Sequence, residues 1–188
     1  MTRVLAQKTV AIAGCGGLGS NAAVALARCG LGRLLIADHD IIEPSNLNRQ
    51  AYFQKDIGAK KVYTLARYLR AINPDLHIIP YNHTLSRDDC ALLFQPADLL
   101  IEAFDRAESK RWLIEAWCRA YSSRPIIIGN GIAGYGDSRS VTISRSGSIY
   151  FVGDGHSDQS QGLCGARVAL VAAMQANLAV QLLMEAPC

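Results

Sequence analysis

Val10-Ala-Ile-Ala-Gly14-Cys-Gly16-Gly17-Leu-Gly19-Ser20 decides how this 188-residue chain is read. Val10 to Ala13 has the make-up of a buried strand. It runs into Gly14, Gly16 and Gly19 in a G-x-G-x-x-G arrangement, with Gly17 inside it. Glycines in these places permit a tight turn, admit a phosphate to the backbone and let the next helix pack closely on the strand. That helix presents unpaired N–H groups to an anion. A second apolar run, Leu34 to Ala37, ends in Asp38, about 20 residues past the last glycine, where a ribose-binding carboxylate is expected. Asp40 follows two residues later. The stretch predicts a bound nucleotide without choosing between a redox cofactor and ATP.

Outward from this stretch, strands and helices alternate. Asn21 to Cys29 suits a helix with Gly30 as its stop. In Ala59 to Ile72 the apolar residues recur at three and four, which predicts an amphipathic helix ending before Pro74. Leu76 to Pro80 reads as a short strand. Ser86 to Phe94 reads as a short helix capped by Ser86, with Asp88 and Asp89 in its first turn. Ala97 to Phe104 is a further strand with Asp105 just past its end, Ala107 to Tyr121 a further helix and Pro125 to Gly129 a further strand. Right-handed crossovers then give a parallel sheet.

After Gly129 the pattern changes. Ser140 to Ser144 and Ser148 to Val152 flank Arg145-Ser-Gly147, which predicts a hairpin. A Gly- and Ser-rich loop from Gly153 to Gly162 precedes a long Ala-rich helix, Cys164 to Glu185, expected to pack in the interior. The fold class is therefore α/β. We expect a Rossmann-like three-layer fold whose mostly parallel sheet is extended by antiparallel strands, in one nucleotide-binding domain over residues 1–188.

Composition narrows the function. Nineteen basic and sixteen acidic residues are interspersed, so no basic stripe points to nucleic acid. No unbroken apolar run reaches the roughly 18 residues of a membrane span, and the N-terminus has no signal-peptide pattern. The cytosol is the expected compartment, with no membrane partner. The six cysteines form no C-x-x-C pair, so neither disulfides nor a structural zinc is expected.

Glu43-Pro-Ser-Asn46-Leu-Asn-Arg49-Gln50 separates the nucleotide classes. On one helical turn Asn46 and Arg49 would face the same way. A guanidinium this close to a phosphate loop suits a polyphosphate. Lys60 and Lys61 open the next predicted helix, where cations oppose the macrodipole and call for something anionic nearby, although a solvated lysine pair is the plain alternative. Asp105 lies where open α/β sheets place ligand contacts; it would hold Mg²⁺ beside phosphates, or cap the following helix. A nicotinamide enzyme would need a hydride site, and no candidate for one is evident.

G-C-G-G-L-G-S-N, L-L-I-A-D-H-D, E-P-S-N-L-N-R-Q, I-G-A-K-K, I-N-P and E-A-F-D stand in an order and spacing that resembles the ThiF/MoeB family, relatives of the ubiquitin-activating enzymes. The similarity covers about residues 8 to 185 and is nearest to short ThiF-like proteins of thiamine biosynthesis. It implies an adenylyltransferase that uses ATP and Mg²⁺ to activate the C-terminal glycine of a small ubiquitin-like sulfur carrier ending in Gly-Gly. It also implies a homodimer. By motif position, Gly14, Gly16, Gly17 and Gly19 would line the nucleotide, and Asp38, with Asp40 beside it, would hold the ribose end. Asn46, Arg49 and Lys61 would contact phosphates, with Arg49, Lys61 and Asp105 catalytic and Asp105 on the metal.

Three departures from the family pattern stand out. Arg3 is the one early arginine, where longer members carry an arginine-bearing helix. Asp105 is followed by Arg106 rather than Asn. Cys164 lies near, but not at, the position of a sulfur-transferring cysteine. A member that binds without chemistry therefore stays open, as does an NAD-dependent oxidoreductase. Val141, Ile143, Tyr150 and Phe151 offer either an apolar carrier groove or core.

Overall fold

The computed structural model describes residues 1–185. Seven strands form one sheet in the order β3-β2-β1-β4-β5-β7-β6. They are β1 (Thr9–Ala13), β2 (Arg33–Ala37), β3 (His77–Tyr81), β4 (Leu99–Glu102), β5 (Ile126–Gly129), β6 (Thr142–Ser146) and β7 (Ile149–Gly153). All neighbours run parallel except β6, which pairs antiparallel with β7. The expected antiparallel extension is thus a single edge strand, because β7 itself continues the parallel register beside β5.

Every residue of β1, β4 and β5 is buried, as expected of parallel strands covered on both faces. On one face lie α1 (Thr2–Leu5), α2 (Gly17–Arg28), α3 (Lys61–Ile72) and α6 (Gly165–Glu185), packed on Val10, Ile12 and Leu34. On the other, α4 (Arg87–Leu93) and α5 (Ala107–Ala120) pack Phe94, Leu113 and Trp117 against Ala11 and Ala13. The layers and element order are those expected from the sequence.

The differences have physical reasons. Helix α2 begins at Gly17, not Asn21, because the glycine loop is itself its first turn: Ser20 N–H donates to Gly16 O at 3.0 Å. The hairpin turns at Gly147-Ser148, so Arg145 belongs to β6 and lies over the Tyr150 ring at 5.2 Å. Helix α6, at 21 residues with a mean hydropathy of 1.5 in its most apolar stretch, is long and apolar enough to cross a membrane. Arg167, Gln175, Asn177 and Gln181 hide it from a search for unbroken apolar runs. Here its Val168, Val171, Ala172 and Leu178 are buried in the core shared with α2.

Hairpin residues Val141, Tyr150 and Phe151 pack into the core, and Ile143 alone of the four is exposed. The apolar groove considered for a carrier does not form there. The five described cysteines are free thiols; Cys188 lies outside the described residues.

Candidate functional site

The chain changes direction of travel across the sheet between β1 and β4, and open α/β sheets bind ligands beyond the strand ends at that point. A cleft of about 650 Å³ lies there. Gly14, Gly16, Gly17, Asp38, Asp40, Arg49, Lys61 and Asp105 all line it. Gly19 and Asn46 do not.

The glycines divide by role. A side-chain carbon on Gly14, whose φ is +100°, would sit 2.7 Å from Ala103 O on the neighbouring strand end. On Gly19 it would sit 1.9 Å from Gly14 O. Gly14 lets the loop pass close by the end of β4, and Gly19 lets it close upon itself. Gly16 is different: the nearest atom to such a carbon, Gln50 Nε2, is 3.7 Å away. No protein atom crowds a side chain there, so its bare backbone is a surface open to a ligand.

Asp38 fastens the loop to the end of β2. Its Oδ2 accepts from Cys15 N–H at 2.7 Å and its Oδ1 from Asp40 N–H at 2.8 Å. Asp40 in turn accepts from Lys61 Nζ at 2.7 Å, and the Lys61 side chain is only 8% exposed. Burial pushes the Asp40 carboxyl up, but the hydrogen bond and charge of Lys61, helped by His39 and Lys60, outweigh it and the net shift is downward. The anion expected beside the lysines therefore includes a residue of the chain itself. Lys60 precedes the helix and donates to His39 O at 2.9 Å.

Arg49 and Asn46 part company. Asn46 is buried and closes the turn at Pro44–Asn46, its Oδ1 accepting from Glu43 N–H at 3.1 Å. Arg49 reaches the cleft while Nη1 donates to Ser45 O at 2.9 Å and to Asn48 Oδ1 at 2.8 Å. Asn46 thus shapes the loop that carries Arg49.

Asp105 stands exposed on the cleft wall past β4. A carboxylate placed to share an ion with phosphates fits Mg²⁺, which protein sites hold through one or two carboxylates plus substrate oxygens. Asp38, His39 and Asp40 also bring ligand atoms within 4.8 Å of one another. However, Asp38 is already taken by backbone N–H groups and Asp40 by Lys61, so that cluster is satisfied without an ion.

Sequence reasoning missed two charges here. Glu102, fully buried at the end of β4, accepts from Lys110 Nζ at 2.8 Å and from Phe104 N–H at 2.6 Å. Burial raises its carboxyl, and the Lys110 charge only partly opposes this. Lys110 lines the cleft. The signal was present: an acid inside a strand and a lysine eight residues on, at the cleft-facing start of α5.

The far wall is tied by a second buried pair, Arg167 on α6 with Asp154 at 2.6 Å. Arg167 also donates to Gly136 O and Ser140 Oγ, and Asp154 accepts from His156 and Ser157 N–H. One ion pair thus joins α6, the loop after β5 and the loop after β7. Cys164 lies half-buried just before α6, and its carbonyl accepts from Val168 N–H. The Cys15 thiol, inside the glycine loop, is pushed up by burial and by Asp38, against a reactive role.

Fold and cleft together define an α/β protein of the doubly wound type with a ligand-sized cleft at its topological switch point. The ThiF family model matches residues 2–188, and the chain belongs to that family. Ubiquitin-like modifier-activating enzyme 5 of Drosophila grimshawi is 30% identical over 93% of this chain and 49% of its own length. Adenylyltransferase and sulfurtransferase MOCS3-1 of Zea mays is 34% identical over 68% of this chain and 27% of its own. The chain thus spans half or less of these relatives. Among solved structures, E. coli tRNA N6-threonylcarbamoyladenosine dehydratase, TcdA, in complex with AMP superposes with a TM-score of 0.87, at 22% identity, over 97% of this chain and 88% of that one. At that identity the likeness establishes the fold.

Proposed function

We propose that this protein is an ATP-dependent adenylyltransferase acting on the C-terminal glycine carboxylate of a small ubiquitin-like carrier. One observation carries the reading most: the uncrowded backbone at Gly16 lines a cleft whose walls also include Lys61 and Arg49. Two cations beside a helix N-terminus suit a triphosphate better than a nicotinamide. Membership of the family, an activating enzyme and an adenylyltransferase among its relatives, and an AMP complex among its structural neighbours support the same class.

In this reading the ribose sits at Asp38 and the phosphates cross Gly16 and Gly17. A carboxylate oxygen of the carrier forms a bond to the α-phosphorus. The bond from that phosphorus to the bridging oxygen breaks, and pyrophosphate leaves with the electron pair. The nucleophile is already ionised at neutral pH, so no general base is needed. Positioning and charge neutralisation by Arg49 and Lys61 supply the acceleration. Bound at Asp105, Mg²⁺ would neutralise phosphate charge. A sulfur carrier of thiamine biosynthesis is the acceptor we favour, from the motif resemblance, and a homodimer the assembly.

Mass spectrometry tests this directly. Carrier proteins ending in Gly-Gly are incubated with the protein and ATP–Mg²⁺, and an adenylate at the carrier C-terminus is expected. Binding of ATP and carrier without any adduct would instead identify a member that binds without chemistry.

A further inference from the structure

Resting on that reading, we infer that Lys110, held by buried Glu102, is the positioning cation for the incoming acyl group rather than for the nucleotide's phosphates. Two observations separate it from Lys61. The first is place. Lys61 and Asp40 follow the end of β2, whereas Lys110 bridges the ends of β4 and β5, with Nζ 2.8 Å from Glu102 Oε2 and 3.3 Å from Gly129 O. The order β2-β1-β4-β5 sets two to three strand spacings between these places, about 10–14 Å, with the Gly14 turn between them. Displacement at the α-phosphorus is in line, so attacking and leaving oxygens lie on opposite sides. If Lys61, held beside Asp40, receives pyrophosphate on the β2 side, the carboxylate arrives on the β5 side, where Lys110 is.

The second observation is the state of the ammonium. Its side chain is 24% exposed and forms part of the cleft lining, while Glu102 is 0% exposed. An ammonium has three donors, and the two contacts within the protein leave one for a ligand oxygen. Glu102 thereby fixes Lys110, and Lys110 orients the acyl oxygen.

Removing Lys110 alone would strand a buried carboxylate, so the variant of choice is Glu102→Gln with Lys110→Met. It retains an acceptor for Phe104 N–H and leaves no uncompensated charge. Calorimetric titrations compare AMP with glycyl sulfamoyl-adenosine, a stable analogue bearing an acyl group beyond the 5′ position. The expected result is an AMP affinity within about twofold of wild type and a loss of about tenfold for the glycyl analogue, the size of one charged hydrogen bond. Equal losses for both ligands, or no loss for either, overturn the assignment.

A measurement on the wild type removes dependence on the variant's folding. The ¹⁵Nζ resonance of Lys110, assigned by Lys110→Arg, should shift with the glycyl analogue and not with AMP; the same response to both overturns the role. Wild type that binds neither AMP nor ATP–Mg²⁺ defeats the nucleotide reading as well, whereas AMP binding with no acyl discrimination defeats the Lys110 role alone.

Discussion

Lys61 Nζ stands 2.7 Å from Asp40 Oδ2, the lysine nearly buried and the aspartate half exposed. The asymmetry says which partner depends on the other. Lys61→Met leaves Asp40 solvated and should not harm the fold, whereas Asp40→Asn releases a lysine that is otherwise held toward the cleft. We expect Lys61→Met to weaken ATP–Mg²⁺ binding by at least about tenfold, the loss of one charge-assisted contact. Asp40→Asn should weaken it less. Calorimetry for binding and thermal melts for folding check both, and a greater loss in Asp40→Asn contradicts the assignment.

Two alanine substitutions in one loop should behave in opposite ways. At Gly16 the added methyl meets no protein atom closer than 3.7 Å, so the melting temperature should hold while nucleotide binding falls by about tenfold or more. At Gly19 it meets Gly14 O at 1.9 Å, and the strain should cost about 1–3 kcal/mol or more in denaturant unfolding. Equal behaviour of the two variants would show that Gly16 is kept for the fold.

These glycines also mark how far the sequence alone could be read. Period and composition revealed the strands, the helices and the G-x-G-x-x-G loop, because each of those signals is local. They could not separate Gly16 from Gly19, since the difference lies in what a side chain would strike across the fold. Asn46 and Arg49 look paired in sequence, yet Asn46 turns inward to close its turn and Arg49 alone reaches the cleft. Glu102 and Lys110, and likewise Asp154 and Arg167, are ion pairs made by tertiary packing. The spacing of a strand end and a helix start hints at the first, and nothing local signals the second.

The Asp154–Arg167 pair carries a pH prediction. Burial alone would raise the Asp154 carboxyl, but the N–H groups of Ser157 and His156 and the Arg167 guanidinium outweigh it and hold it below the ordinary range. A group whose folded pKa is depressed stabilises the fold above its unfolded pKa, about 3.9, and loses that contribution as pH falls through the folded value. Urea unfolding should therefore show stability falling as pH drops below about 4, with a shallower fall in Asp154→Asn. Arg167→Ala should cost about 3–5 kcal/mol at neutral pH, since it leaves Asp154 buried and unpaired. Unchanged pH dependence in Asp154→Asn would contradict the role of this pair.

The most direct test of the central claim is ATP–pyrophosphate exchange with a Gly-Gly carrier. Wild type should exchange only when the carrier is present, and Arg49→Ala and Asp105→Ala should each slow exchange by at least about a hundredfold, the usual scale for losing a group that stabilises transition-state charge. No exchange with any Gly-Gly carrier, or full exchange by either variant, would contradict the claim.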